Sequence, residues 1–176
     1  MQITDNLKND IFDAPAWFHD AISIKPSEKI LEDIKGNLSY SVWPSSSENT
    51  NLIILIHGTG AHKKWWYPIA PQFINYSNVI AVDLPGMGDS GFREKYSIKD
   101  FGQCIISIIE KEKSNMNIDS ISIIGHSLGG QVAGYVASEK KDLVSNLIMI
   151  DTFIRPPDWD PSQNEGGPLR MIKSVS

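Results

Sequence analysis

Two short stretches of this sequence combine residue types with which covalent chemistry is done. Gly125-His126-Ser127-Leu128-Gly129 sets a hydroxyl between glycines two positions to either side. Serine is a weak nucleophile at its free pKa, so a chain that uses it must hold it clear of its surroundings, where a base can reach it. A sharp turn from strand into helix does this. Side chains two residues either side of such a turn would collide, which glycine at 125 and 129 avoids. The second stretch is His57-Gly58-Thr59-Gly60. A glycine-rich turn straight after an apolar strand leaves backbone N–H groups open at the carboxyl edge of a sheet. Amides so placed can stabilise an oxyanion, an effect worth about 3 to 4 kcal/mol per donor.

Gly-x-Ser-x-Gly also arises by chance as a turn with an idle serine, so its context decides. Ile121-Ser122-Ile123-Ile124 before it has the β-branched, apolar character of a buried parallel strand. After it, Leu128, Val132 and Val136 recur at helical spacing, while Ala133, Gly134 and Ala137 let that helix, Gln131 to Lys140, lie close to a sheet. Asn51 to His57, Val79 to Asp83 and Asn146 to Asp151 read as further buried strands. Pro68 to Phe73 marks a helix, and another starts near Ser97, where Ser97-x-x-Asp100 resembles a capping box ahead of Phe101, Ile105, Ile108 and Ile109. Strands alternating with helices predict an α/β fold, a mostly parallel sheet with helices on both faces. Lys29 to Trp43 predicts an antiparallel hairpin at one edge, turning at Gly36-Asn37.

The expected organisation is an N-terminal extension over residues 1–28, with Pro15-Ala16-Trp17-Phe18 as an apolar anchor, then a core over 29–151. Residues 152–176, rich in proline and glycine, read as the start of a lid or a disordered tail. The sheet is expected to be truncated after the strand that follows the serine turn, which leaves an apolar edge unpaired.

A net charge of -5 gives no electrostatic footprint for nucleic acid or an anionic membrane. No run reaches transmembrane length and Met1 to Asp10 has no apolar signal core, so a cytoplasmic protein is expected. The single cysteine, Cys104, excludes an intrachain disulfide and reads as a core residue. His57 and His62 lack the intervening glutamate of a zincin helix, and no metal is expected. Gly86, Gly88 and Gly91 match the spacing of a dinucleotide loop, but Pro85 precedes them and no helical pattern opens at them. The expected partner is a small-molecule substrate, without a cofactor.

Taken together, His57-Gly58-Thr59-Gly60, Asp83-Leu84-Pro85-Gly86-Met87-Gly88-Asp89-Ser90 and Gly125-His126-Ser127-Leu128-Gly129-Gly130 resemble the α/β-hydrolase fold family, in its esterase, lipase and epoxide-hydrolase-like members. The resemblance covers roughly Ala14 to Asp160. It implies Ser127 as nucleophile and the backbone N–H groups of Thr59 and Leu128 as oxyanion donors. His57, Gly58, Gly125, His126 and Gly129 would shape the site, and the Asp83 to Ser90 loop would brace it. It also implies an acid and then a histidine later in the chain. Asp151 is a candidate acid, or an aspartate at an ordinary strand exit. No histidine follows His126, so the expected catalytic histidine is not present in this chain. Three explanations stand open: an N-terminal fragment of a longer serine hydrolase, a non-catalytic binding protein that kept the pocket, or an upstream histidine, His57 or His62, in service.

Overall fold

The computed structural model describes residues 14–33 and 35–154; residues 1–13 of the expected extension and 155–176 of the expected tail therefore lie outside the described residues. Six strands form one sheet in the order β1-β2-β4-β3-β5-β6. β3 (Asn51–Ile56), β4 (Asn78–Val82), β5 (Ser120–His126) and β6 (Val144–Ile150) are parallel. The pair β1 (Ser27–Leu31) and β2 (Leu38–Trp43) is antiparallel and joins the sheet through β4. The mostly parallel sheet with an antiparallel edge hairpin is thus as the sequence implies.

The period of two along β3 explains why its run is apolar throughout. Leu52, Ile54 and Ile56 enter one core, where they meet Ile105 and Ile108 of α2 (Ile98–Lys113) and Val132 and Val136 of α3 (Leu128–Glu139). Ile53 and Leu55 enter the opposite core with Trp43, Val79, Ala81, Trp66 and Ala70. A strand covered on both faces has no polar side to display. Helix α2 begins where the capping pattern puts it, with Ser97 Oγ accepting from the Asp100 N–H at 3.0 Å.

Four local expectations are corrected. The hairpin does not turn tightly at Gly36-Asn37. Its connection spans residues 32–37 and is built on Asp33, which accepts from the Lys35 and Gly36 amides and from Arg93 Nη2. Pro68 to Phe73 is not an α-helix but part of a pair of 3-10 turns, Lys63–Trp66 and Ala70–Phe73, because Pro68 and Pro71 each remove a backbone donor. Helix α3 begins at Leu128, three residues before Gln131, so the serine turn feeds it directly. In α1 (Ala16–Ser23) the anchor is not Trp17, which is half exposed, but buried Ala21 and the Ile24 carbonyl, which accepts from Trp43 Nε1 at 3.0 Å.

A buried charge ties the hairpin to α2. Glu112 is fully buried and accepts from Lys29 Nζ of β1 at 2.8 Å and from Tyr40 OH of β2 at 2.7 Å. Burial works against the carboxylate, but those two hydrogen bonds outweigh it and hold its pKa below the usual value. Folding therefore favours the ionised form. The stability it brings is complete above the ordinary carboxylate pKa of 4.5 and is lost as pH falls through the lower folded value. Glu112→Gln is expected to cost about 1 to 3 kcal/mol at neutral pH and to flatten the loss of stability in acid. Urea unfolding of both proteins at pH 7 and pH 4 reads this; equal losses of stability on going to pH 4 would show that Glu112 is not the titrating group.

Candidate active site

The turn between β5 and α3 brings the two chemical stretches together. Ser127 sits there at φ 52° and ψ -116°, outside every well that an L-residue occupies comfortably. Neighbours hold it in that conformation. Its N–H donates to the Ile150 carbonyl at the end of β6 at 2.9 Å, and its own carbonyl accepts from the Gly130 N–H at 3.0 Å and from Thr152 Oγ1 at 3.3 Å. Strain of this kind persists only where surroundings over-determine it, and it clusters at functional sites.

The two flanking glycines are required by close approach. A Cβ on Gly125 would lie 2.2 Å from the Gly129 carbonyl oxygen, and one on Gly129 would lie 2.4 Å from the carbonyl oxygen of Ile56. The start of α3 therefore rests directly on the end of β3. That contact sets the His57 to Gly60 turn beside the serine: a Cβ on Gly58 would be 3.2 Å from Ser127 Cβ and 2.8 Å from His126 Nδ1. Thr59 and Leu128 flank this junction. Among the hydrogen bonds of the described residues, neither the Thr59 nor the Leu128 N–H has an acceptor.

His57 is fully buried and braces this turn. Its Nε2 accepts from the Leu84 N–H at 3.1 Å, which fixes the proton on Nδ1, 2.7 Å from the Gly58 carbonyl. Burial pushes its pKa below the ordinary value. Both ring nitrogens are thus engaged and the ring is neutral near pH 7. The His126 ring meets Trp65 edge to face at 4.7 Å, and its buried Nδ1 has no partner among the described residues. His62 is exposed at the start of the first 3-10 turn, and His19 lies against Phe18 on α1. None of the four histidines is hydrogen-bonded to Ser127.

Asp151 follows β6 immediately, at φ 47° and exposed, one residue beyond the carbonyl that holds the Ser127 amide. Aspartate tolerates that left-handed backbone better than most residues. The Asp83 to Ser90 loop does brace the neighbouring turn, but through a residue the sequence reading passed over. Lys63, 1% exposed, points Nζ at Asp83 Oδ2 (2.8 Å), Asp89 Oδ2 (2.6 Å) and Ser39 Oγ (2.9 Å). Burial opposes its charge, but the hydrogen bonds to Asp83 and Asp89 prevail and push its pKa up, while Lys63 holds the Asp89 carboxyl below its usual range. Between Gly91 and Ile98 the backbone forms no helix, so the dinucleotide-like glycines face no helix N-terminus.

The chain has relatives among known proteins. The family model described as alpha/beta hydrolase fold matches residues 51–171. A pimeloyl-[acyl-carrier protein] methyl ester esterase of Pseudoalteromonas atlantica is 30% identical over 131 residues, 70% of this chain and 48% of that protein. A soluble epoxide hydrolase of Corynebacterium sp. is 32% identical over 104 residues, 56% of this chain and 34% of that protein. Among solved structures, the thioesterase domain from the curacin biosynthetic pathway superposes with a TM-score of 0.66 at 23% identity, over 85% of this chain and 52% of that one. The chain spans about half the length, or less, of the relatives it matches.

The strain at Ser127 is measurable. Glycine relieves a positive φ and alanine does not, so Ser127→Gly is expected to be the more stable of the two by about 1 kcal/mol, the backbone strain relieved less the chain entropy glycine adds when unfolded. Urea titration of the two variants tests this, and equal midpoints would mean an unstrained turn.

Proposed function

This chain belongs to the α/β-hydrolase fold family, and from that premise we propose that the whole protein is a serine hydrolase that cleaves an ester or related acyl bond of a small molecule through a Ser127 acyl-enzyme. The observation that carries the reading is the strained serine itself, held on a turn that glycines alone can form, with two amides lacking acceptors beside it. A residue is kept in such a conformation against a cost of about 1 to 3 kcal/mol when its position is used.

In this reading Ser127 Oγ attacks the acyl carbon, its proton passes to an imidazole, and the oxyanion that forms is held by the N–H groups of Thr59 and Leu128. The imidazolium then protonates the departing alkoxide, and water releases the acid by the same steps in reverse order. His57 is not that base, since a neutral ring with both nitrogens engaged has no position from which to accept the proton. The base belongs to a histidine of the whole protein outside the four seen in this chain, and Asp151 is the candidate to orient it. A relative named as a methyl ester esterase supports the class without choosing the substrate. No helix among the described residues is long and apolar enough to cross a membrane.

The test is p-nitrophenyl ester turnover and fluorophosphonate labelling of the protein expressed from its whole reading frame. Ser127→Ala is expected to abolish labelling and to lower kcat by at least about 10⁴-fold. Turnover that survives the substitution would end the proposal. Tight binding of an apolar ester with neither turnover nor labelling would favour the binding-protein reading instead.

A further inference from the structure

The structure assigns Lys63 as a positioning residue, whose ammonium, bonded to Asp83 and Asp89, fixes the turn that presents the Thr59 amide to Ser127. This deepens the acyl-transfer reading above and rests on it.

The argument is one of anchors. The turn leaves β3 at His57, which is tied to the Leu84 N–H at 3.1 Å. It is next secured at Lys63, whose N–H donates to Asp83 Oδ1 at 2.6 Å and whose Nζ donates to Asp83 Oδ2 at 2.8 Å. Both anchors grip consecutive residues of the same partner loop. Residues 58–62 hang between them, with Gly60 at φ 72° and the Ala61 N–H donating to the Gly58 carbonyl at 3.2 Å. Without the ammonium, the second anchor is reduced to the one N–H bond to Asp83 Oδ1, on a carboxylate that has lost its counter-charge, and the span gains freedom at that end. A backbone donor displaced by about 1 Å loses much of its value to an oxyanion, because the hydrogen-bond geometry that stabilises it is narrow.

Lys63 is also what keeps the partner loop in shape. Asp83 Oδ2 accepts both from Nζ and from the Asp89 N–H at 2.9 Å, and Asp89 Oδ2 takes the same ammonium at 2.6 Å. Ser39 Oγ of β2 takes it as well, at 2.9 Å, and Glu28 of β1 lies at 3.7 Å. A single side chain therefore links the hairpin, the Asp83 to Ser90 loop and the serine-facing turn. An apolar residue of equal length would fill the space and keep only the backbone bond from its N–H to Asp83 Oδ1. The reaction itself never touches Lys63, so its effect must travel through the turn.

The experiment compares Lys63→Met with Lys29→Met, which breaks the ion pair with Glu112, in the protein from the whole reading frame. Two readouts are used: amide hydrogen exchange of peptides covering residues 57–66, and p-nitrophenyl acetate kinetics per site titrated with fluorophosphonate. Lys63→Met is expected to speed exchange in that segment at least 10-fold, with β3 and β5 unchanged, and to lower kcat about 10- to 100-fold while KM shifts less than twofold. Lys29→Met should do neither. If Lys63→Met does not fold, Asp89→Asn removes only the solvent-facing partner and should give the same pattern at about threefold. Unchanged exchange, or a loosened turn with unchanged kcat per site, overturns the assignment. A wild-type protein whose Ser127 resists the fluorophosphonate would instead defeat the acyl-transfer reading, and exchange alone would then decide whether Lys63 holds the turn.

Discussion

The structure depends on a contact that no side chain could survive. At the start of α3, Gly129 lies so close to the carbonyl oxygens of Ile56 and His57 that a Cβ there would come within 2.5 Å of both. Backbone against backbone at this range locks helix α3 to the central strand. The turn that feeds the helix is then forced into its positive φ, and the end of β3 is delivered beside it. Everything chemical follows from that one approach: the serine is raised because the helix is pulled in, and the Gly58 turn meets it because β3 and β5 pair with Ile56 opposite Gly125. Glycine at two positions is thus a statement about distances between main chains rather than about flexibility.

Much of this was legible from sequence, and the reasons are particular. Buried parallel strands have no polar face, so Leu52 to Ile56 and Val79 to Val82 announce themselves by composition alone. The serine turn was legible because its glycines serve a steric need that spacing displays. Lys63 was not. Its role depends on a carboxylate twenty residues later in the chain, and nothing local distinguishes it from Lys64, which stays exposed. The 3-10 turns were missed for a related reason: Ile69, Ala70 and Phe73 have helical spacing, and two prolines outweigh it. Long-range polar pairing and short helices under tertiary constraint are where local patterns carry least information.

Two buried charges divide the labour of holding the hairpin. Glu112 fastens β1 and β2 to α2 on one face, and Lys63 fastens β2 to the loops on the other. Glu112 takes donors from two strands, and Lys63 meets acceptors of the Asp83 to Ser90 loop, β2 and β1; each would be costly if a single partner were lost. Hydrophobic burial alone would tolerate sliding of β1, whose residues are half exposed and gain little from any one register. Charges that can be satisfied in one arrangement only remove that latitude. They spend some stability to fix a geometry, and the part that Lys63 fixes includes the turn that faces the serine.

The strand order has a consequence for how the molecule is made. β3, with its run from Leu52 to Ile56, pairs with β4 and β5, both of which are synthesised after it. The β1–β2 hairpin can close as soon as it emerges, but it reaches the sheet only through β4. At about 5 to 20 residues per second, the most apolar strand in the chain leaves the ribosome and waits on the order of seconds for Asn78 to Val82 to arrive. Once β4 has arrived, both β2 and β3 find their neighbour at once, and β5 and β6 then add outward in turn. The nascent chain is therefore most exposed to chaperones, and to its own neighbours on a polysome, during the synthesis of the turn that carries Thr59 and Lys63.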